Sequence, residues 1–216
     1  MNDLMLRQNV VDELGFDPSV DAANIGVAVE NGVVTLSGHV GSYAEKIAAE
    51  MAVKRVKGVR ALAETLEVRF SGRKKHADDE IAARALDIIE WDALLPNGAI
   101  DVKVQRGWVT LSGEVPWHFQ RLAAEKAVMK LGGVVGVTNV LSIKPMSSIP
   151  DVKNRIEVAL KRNAEVEADN IEVAVSGGNV TLQGGVTGWR ERAVAEQAAW
   201  SIPGVVSVTN NILING

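Results

Sequence analysis

"VTLSGHV" at 34–40, "VTLSGEV" at 109–115 and "VTLQGGV" at 180–186 are three writings of one phrase. Around the phrase glycines Gly38, Gly113 and Gly184 the match continues without a gap. Twenty residues later stands a second glycine, Gly58, Gly133 or Gly204. Nine residues before the phrase-opening Val34, Val109 or Val180 stands Ile25, Ile100 or Ile171. Self-similarity at a fixed period marks a repeated structural unit. The copies lie 75 and then 71 residues apart, and the extra four residues fit around "EWDALLPNG" at 90–98.

Each copy reads as the same series of elements. Ile25-Val27-Val29, Ile100-Val102-Val104 and Ile171-Val173-Val175 alternate as a strand with one buried face does. Asn31-Gly32, Arg106-Gly107 and Gly177-Gly178-Asn179 follow as turn residues, so the phrase is the return strand of a β-hairpin. Next comes a helix whose small and apolar positions repeat at i, i+3, i+4 and i+7: Ala49, Ala52, Val53 and Val56 in the first copy. Glu45, Gln120 and Glu191, with Lys46, Arg121 and Arg192, are assigned to its solvated side. Gly38, Gly113 and Gly184 are expected to end the strand and begin the turn into this helix. Gly58, Gly133 and Gly204 are expected to stop it at about C′. A last strand follows, "VRALAETLEV", "VVGVTNVLSI" or "VVSVTNNILI".

An amphipathic helix precedes each hairpin, with Leu6-Val10-Leu14, Ile81-Ala85-Ile89 and Val152-Ile156-Leu160 at i, i+4 and i+8. Pro150 is placed in the first turn of the third copy's helix. The predicted fold class is α+β: three tandem α-β-β-α-β units, each a three-stranded mixed sheet covered on one face by two helices. A helical crossover permits the parallel pairing. The units are placed at 1–72, 76–144 and 148–216, with short joints at 71–80 and 144–150.

Composition narrows the function classes. Hydrophobic residues make up 47% and aromatics 4%, so the cores rest on Val, Ile, Leu and Ala. The net charge of −4 argues against a broad nucleic-acid surface, which needs clustered Lys and Arg. The basic run is Arg73-Lys74-Lys75 in a joint, read as a solvated linker. With no cysteine there is no thiolate chemistry, disulfide or Cys-ligated zinc. His39, His76 and His118 do not align between copies, and no HExxH or nucleophile–base arrangement occurs, so neither a transition-metal site nor an enzyme is expected. No cofactor is expected either. "DDE" at 78–80 is read as acids complementing a helix N-terminus. The start lacks a basic leader and no apolar run approaches about 18 residues, which reads as cytoplasmic, or periplasmic if a leader has been removed.

With these residues in view, "NGVVTLSGHV…KGV", "RGWVTLSGEVPWHFQRLAAEKAV…GGVVGVTN" and "GGNVTLQGGVTGWRERAVAEQAA…PGVVSVTN" resemble three tandem BON (bacterial OsmY and nodulation) domains. The first copy departs from the pattern in its last strand, where "VRALAETLEV" lacks the Val-Thr-Asn phrase. The resemblance implies a non-enzymatic binding module associated with osmotic or envelope stress. It further implies contact with phospholipid membranes or with proteins, and a cytoplasmic relative binds potassium.

The residues that suit such contacts stand just past the phrase. Tyr43, His118 and Trp189 take the fifth position after the phrase glycine, with Trp117 beside His118. Rings at a sheet rim can enter a headgroup layer or anchor a partner. They can equally cap their own unit's core. Trp200 aligns with Lys54 and is assigned to an inter-unit or subunit contact. The first reading is therefore a binding protein for an anionic phospholipid surface or a protein partner. A carbonyl-lined potassium or calcium site is the alternative, and self-assembly into an oligomer through exposed edge strands is a third.

Overall fold

The computed structural model describes residues 2–70, 76–145, 151–163 and 170–214. Two compact units divide the chain, residues 1–142 and 143–216.

The first unit holds two copies of the repeat. In copy one, α1 (Asp3–Phe16) leads through a short 3-10 turn to the hairpin β1 (Ile25–Glu30) and β2 (Val33–Val40). Helix α2 (Tyr43–Arg55) crosses over to β3 (Ala61–Val68). Copy two runs α3 (Asp78–Trp91), β4 (Ile100–Gln105), β5 (Trp108–Val115), α4 (His118–Val128) and β6 (Gly136–Asn139), then a two-residue β7 (Ser142–Ile143). In the second unit, α5 (Val152–Lys161), β8 (Ile171–Ser176), β9 (Asn179–Val186), α6 (Trp189–Trp200) and β10 (Ser207–Ile214) make the third copy. Pro150 and the basic run 73–75 lie outside the described residues.

Among the described residues there are three mixed sheets, ordered β1-β2-β3, β4-β5-β6 and β8-β9-β10. The hairpin pair is antiparallel and the crossover pair parallel in every copy. The α+β class with two helices on one face of each sheet is what the repeated pattern predicts. The hairpin turns place Asn31-Gly32 (φ 52° and 77°), Arg106-Gly107 (53° and 78°) and Gly177-Gly178 (56° and 85°) in the left-handed region. That is the type I′ geometry matched to strand twist. Core residues come from the helix-facing side: Leu6, Val10, Val34, Leu36, Ala49 and Val53 in copy one, with their counterparts in the others.

Two glycine assignments are corrected. Gly38, Gly113 and Gly184 do not end their strands; each lies inside one, paired with the first residue of the partner strand, Ile25, Ile100 or Ile171. Their φ values are 114°, 122° and 128°, and a Cβ there would strike the carbonyl oxygen of Asn24, Ala99 or Asn170. The chain entering the hairpin passes too close for any side chain. Gly58, Gly133 and Gly204 are likewise not at C′. Each helix closes with an i→i+3 bond (Val56 to Val53, Leu131 to Val128, Ile202 to Ala199), and a separate turn follows. In that turn Val59, Val134 and Val205 donate back to Val56, Leu131 and Ile202, with the glycine third at φ near 90°. A positive φ at that position is the type II signature, and the third copy adds the favoured Pro203 before Gly204.

Copy one also carries an exposed charge cluster joining α1 to α2. Arg55 donates to Glu13 at 2.7 Å and to Asp17 at 2.9 Å, while Ser19 donates to Asp17 at 2.5 Å. The Ser19 hydroxyl and then the Arg55 guanidinium hold the Asp17 carboxyl at about 2. A depressed carboxyl stabilises the fold above its unfolded value and loses that contribution as pH falls toward 2. Arg55→Gln should therefore melt below the parent at pH 7, and the gap should shrink between about pH 4 and 2, read by thermal unfolding across pH. An unchanging gap would show that Asp17 is not the partner that matters.

Candidate functional site

The recurrent polar residues can be followed one by one, and most are spent on holding the unit together. Asp3 accepts the N–H groups of Asn31 (2.8 Å) and Gly32 (3.1 Å). Asp78 accepts those of Arg106 (2.7 Å) and Gly107 (2.8 Å). The first acid of "DDE" therefore clasps the tip of the hairpin rather than serving only its helix dipole. Glu45, Gln120 and Glu191 are not solvated as expected from their helix position. Glu45 accepts from Asp21 N–H (2.8 Å) and Gly41 N–H (2.7 Å), and Gln120 donates to the Leu94 carbonyl at 2.8 Å.

The basic position beside them covers the outer edge of the last strand. Lys46 donates to the Leu66 carbonyl and pairs with Glu64 at 2.7 Å. Arg121 donates to the Asn139 carbonyl, and Arg192 to those of Asn210 (2.6 Å) and Ile212 (3.1 Å). The asparagine of the Val-Thr-Asn phrase completes the arrangement. Asn139 donates to the Arg121 carbonyl and to Glu125, and accepts the N–H of Leu141; Asn210 repeats this with Arg192, Glu196 and Ile212. An unsatisfied sheet edge invites pairing with another chain, and these side chains occupy it. Copy one departs here as in sequence: Glu64 replaces asparagine, and Lys46 neutralises it.

The predicted contact residues fall in related but unequal places. Tyr43, His118 and Trp189 each occupy the first residue of a crossover helix, and Trp117 is the N-cap of α4. Tyr43 is half-buried and bridges the two copies of the first unit, its phenol oxygen accepting the Val137 N–H on β6. Burial pushes the phenol above its usual value, the Val137 contact opposes this, and the carboxylates of Glu125, Glu50 and Glu64 raise it further. Trp189 is half-buried with the Arg192 guanidinium 5.8 Å from its ring centre, a cation–π arrangement. His118 is half-buried. Trp200 closes α6 and packs, half-buried, against the core of its own repeat. Within the first unit the rings differ in setting: Tyr43 and His118 are half-buried, whereas Trp117 is exposed.

A different apolar group stands out in copy two. Trp117 is exposed together with Phe119, Leu94 and Trp91, the last at 90%. The Gln120–Leu94 bond ties the loop carrying Leu94 to the first turn of α4, which carries Trp117 and Phe119. Phe16, also exposed at the end of α1, matches Trp91 at the end of α3. The sequence signal was available: these residues are large, apolar and off the i, i+4, i+8 stripe.

Among the described residues, no group of three or more His, Asp or Glu is arranged to hold a metal ion. No described helix is long and apolar enough to cross a membrane.

The BON domain model matches residues 2–69, 77–145 and 149–216. Osmotically-inducible protein Y of Escherichia coli (strain K12) is 32% identical over 152 residues, covering 67% of this chain and 74% of that protein. Among solved structures, CdsD, a structural protein of the type III secretion system of Chlamydia trachomatis, is 15% identical with a TM-score of 0.27, covering 99% of this chain and 93% of that one. The C-terminal domain of CdsD is 13% identical with a TM-score of 0.28, covering 100% of both chains. The three matches of the BON domain model, spread over nearly the whole chain, show that this protein belongs to the BON domain family and carries the domain three times.

Proposed function

We propose that this chain is a non-enzymatic BON-repeat protein of the osmotic-stress response that docks on phospholipid membrane surfaces through the rim of its middle repeat. The stress association rests on its likeness to an osmotically-inducible protein. The non-enzymatic reading rests on the recurrent polar groups, which are engaged in hairpin tips, helix starts and strand edges rather than aimed at a shared space.

The observation that carries the membrane reading is the set of exposed residues Trp91, Leu94, Trp117 and Phe119 in the middle repeat, with the Leu94 loop tied to the start of α4 by the Gln120–Leu94 bond. Indole and phenyl groups there can enter the headgroup–acyl boundary without a spanning segment. Burying such a side chain from full exposure contributes about 1.5–3 kcal/mol, and Trp117 and Phe119, already part-buried, contribute a fraction of that each. Losing both Trp117 and Phe119 should therefore weaken partitioning at least about tenfold. The test is co-sedimentation with vesicles of phosphatidylcholine alone and with added phosphatidylglycerol, comparing the parent with Trp117→Ser/Phe119→Ser. Pelleting that the double variant loses supports the reading. No pelleting by the parent, or equal pelleting by both, overturns it in favour of a protein partner.

A further inference from the structure

The helices cover one face of each sheet, and the other face is open. On that face copy one is built of small groups, with Val33 beside Ala61 and Thr35 beside Ala63; copy three is polar, with Asn179 beside Ser207. Copy two differs. Trp108 stands where Val33 and Asn179 stand, opposite Gly136 on β6. A Cβ on Gly136 would meet the ring carbons Cζ3, Cε3 and Cη2 of Trp108, the last at 2.7 Å. Gly136 has no positive φ, so the glycine is required by the ring's space and not by the backbone. At its other end the indole Nε1–H donates to Thr138 Oγ1 at 2.7 Å, two residues along the same strand. Held at both ends, the ring lies along β6 and leaves about half its surface in solvent, at 49% exposure.

We propose that this ring is a stacking platform for a sugar residue, making the open sheet face of the middle repeat a carbohydrate-binding site. A pyranose presents a face of C–H groups, which suits the electron-rich face of a fixed indole. Its rim of hydroxyls needs donors and acceptors around the ring. Gln105 is paired with Trp108 across the hairpin, and Lys103 is paired with Thr110 one row on. Gln105 and Lys103 are exposed, and Thr110 is half-buried. Neighbouring strands stand about 4.8 Å apart, so these groups frame the ring at the scale of one sugar unit. A protein partner fits less well: stable interfaces bury about 1,200–2,000 Å², and here one ring is set among polar neighbours. Single-stranded nucleic acid also stacks on aromatic rings but needs a basic groove, whereas Asp101, paired with Ser112, and Glu114, exposed by the alternation of β5, share this face and the chain is acidic.

Soluble hexaoses of β-1,4-glucose, α-1,4-glucose and N-acetylglucosamine provide the probes, added to the full chain with the five indole N–H signals followed by NMR. At least one sugar should shift the Trp108 indole signal saturably. Trp108→Ala, which should keep the parent's fold because the ring is outside the helix-facing core, should weaken that binding at least tenfold. Gln105→Ala should weaken it less, and vesicle pelleting should be unaffected by either, which separates this site from the membrane rim. If none of the three sugars moves the Trp108 signal, or Trp108→Ala binds as tightly as the parent, the proposal fails. It fails equally if a proline-rich peptide or an oligonucleotide moves that signal and the sugars do not.

Discussion

Gly113→Ala should unfold the middle repeat, or bring it close to unfolding, at temperatures where the parent is intact. The residue lies inside β5 at φ 122°, a conformation that L side chains rarely adopt, and its new Cβ would strike the Ala99 carbonyl oxygen while lying 3.5 Å from Ile100 Cα. Both obstacles are backbone, so no side-chain rotation can relieve them. The conformational strain alone costs about 1–3 kcal/mol, and the collision must displace the start of β4, which brings the total to about 3 kcal/mol or more. Repeats of this size have little stability in reserve. Gly38→Ala and Gly184→Ala should behave alike, at φ 114° and 128° with the same carbonyl in the way. Two controls separate the causes. Gly98 has φ 69° with nothing within 4 Å of a new Cβ, so Gly98→Ala should cost only about 1 kcal/mol. Gly15, in α1 with open space and no positive φ, should gain about 0.5–1 kcal/mol as alanine. Urea unfolding of the parent and the five variants measures this. A Gly113→Ala midpoint indistinguishable from that of the parent would refute the close-approach account.

The second large effect is expected at Asp78. Its two oxygens take the two N–H groups at the tip of the β4–β5 turn, at 2.7 and 2.8 Å. Gly107 is buried, so its donor cannot turn to bulk water when the carboxylate goes. Hydrogen bonds to a charged group are worth about 1.5–3 kcal/mol, and the half-buried setting places the loss for Asp78→Ala at about 2–3 kcal/mol. Asp78→Asn retains one acceptor oxygen and should recover part of that. Hydrogen exchange reports the mechanism directly: the Arg106 and Gly107 amides should lose protection in Asp78→Ala well before the core of β5 does. Equal loss across the whole repeat would mean that the carboxylate supports only the helix start. Copy three has Ile149 at the corresponding sequence position, outside the described residues, and its turn is made of two glycines, Gly177 and Gly178.

Much of this architecture was legible because its causes are local. Alternating valines at 25–29 and turn pairs such as Asn31-Gly32 specify strands and a type I′ hairpin within a few residues of themselves. The Ala49-Ala52-Val53 face needs only helical geometry to show where the core lies. The glycine pairs could be located from the threefold repetition, yet their roles were misplaced. A turn glycine and a close-approach glycine look alike in sequence, and what strikes a Cβ at Gly38 is Asn24, fourteen residues upstream. The candidate site was legible only in part. Tyr43, His118 and Trp189 do share one structural position, but whether a ring at that position faces solvent, an arginine or a neighbouring repeat depends on what packs over it.

From the sequence alone came the threefold α-β-β-α-β plan, the mixed sheets and the position of each helix, all consequences of periodicity and turn chemistry acting over short range. The tertiary structure alone decided that Asp78 reaches a hairpin 28 residues away and that Asn139 ties β6 to α4. It also decided that Trp91, Leu94, Trp117 and Phe119 are left exposed, and that Trp108 lies exposed over Gly136. Those outcomes depend on which surfaces meet when distant segments pack, and no spacing along the chain encodes what stands opposite a side chain in the folded state.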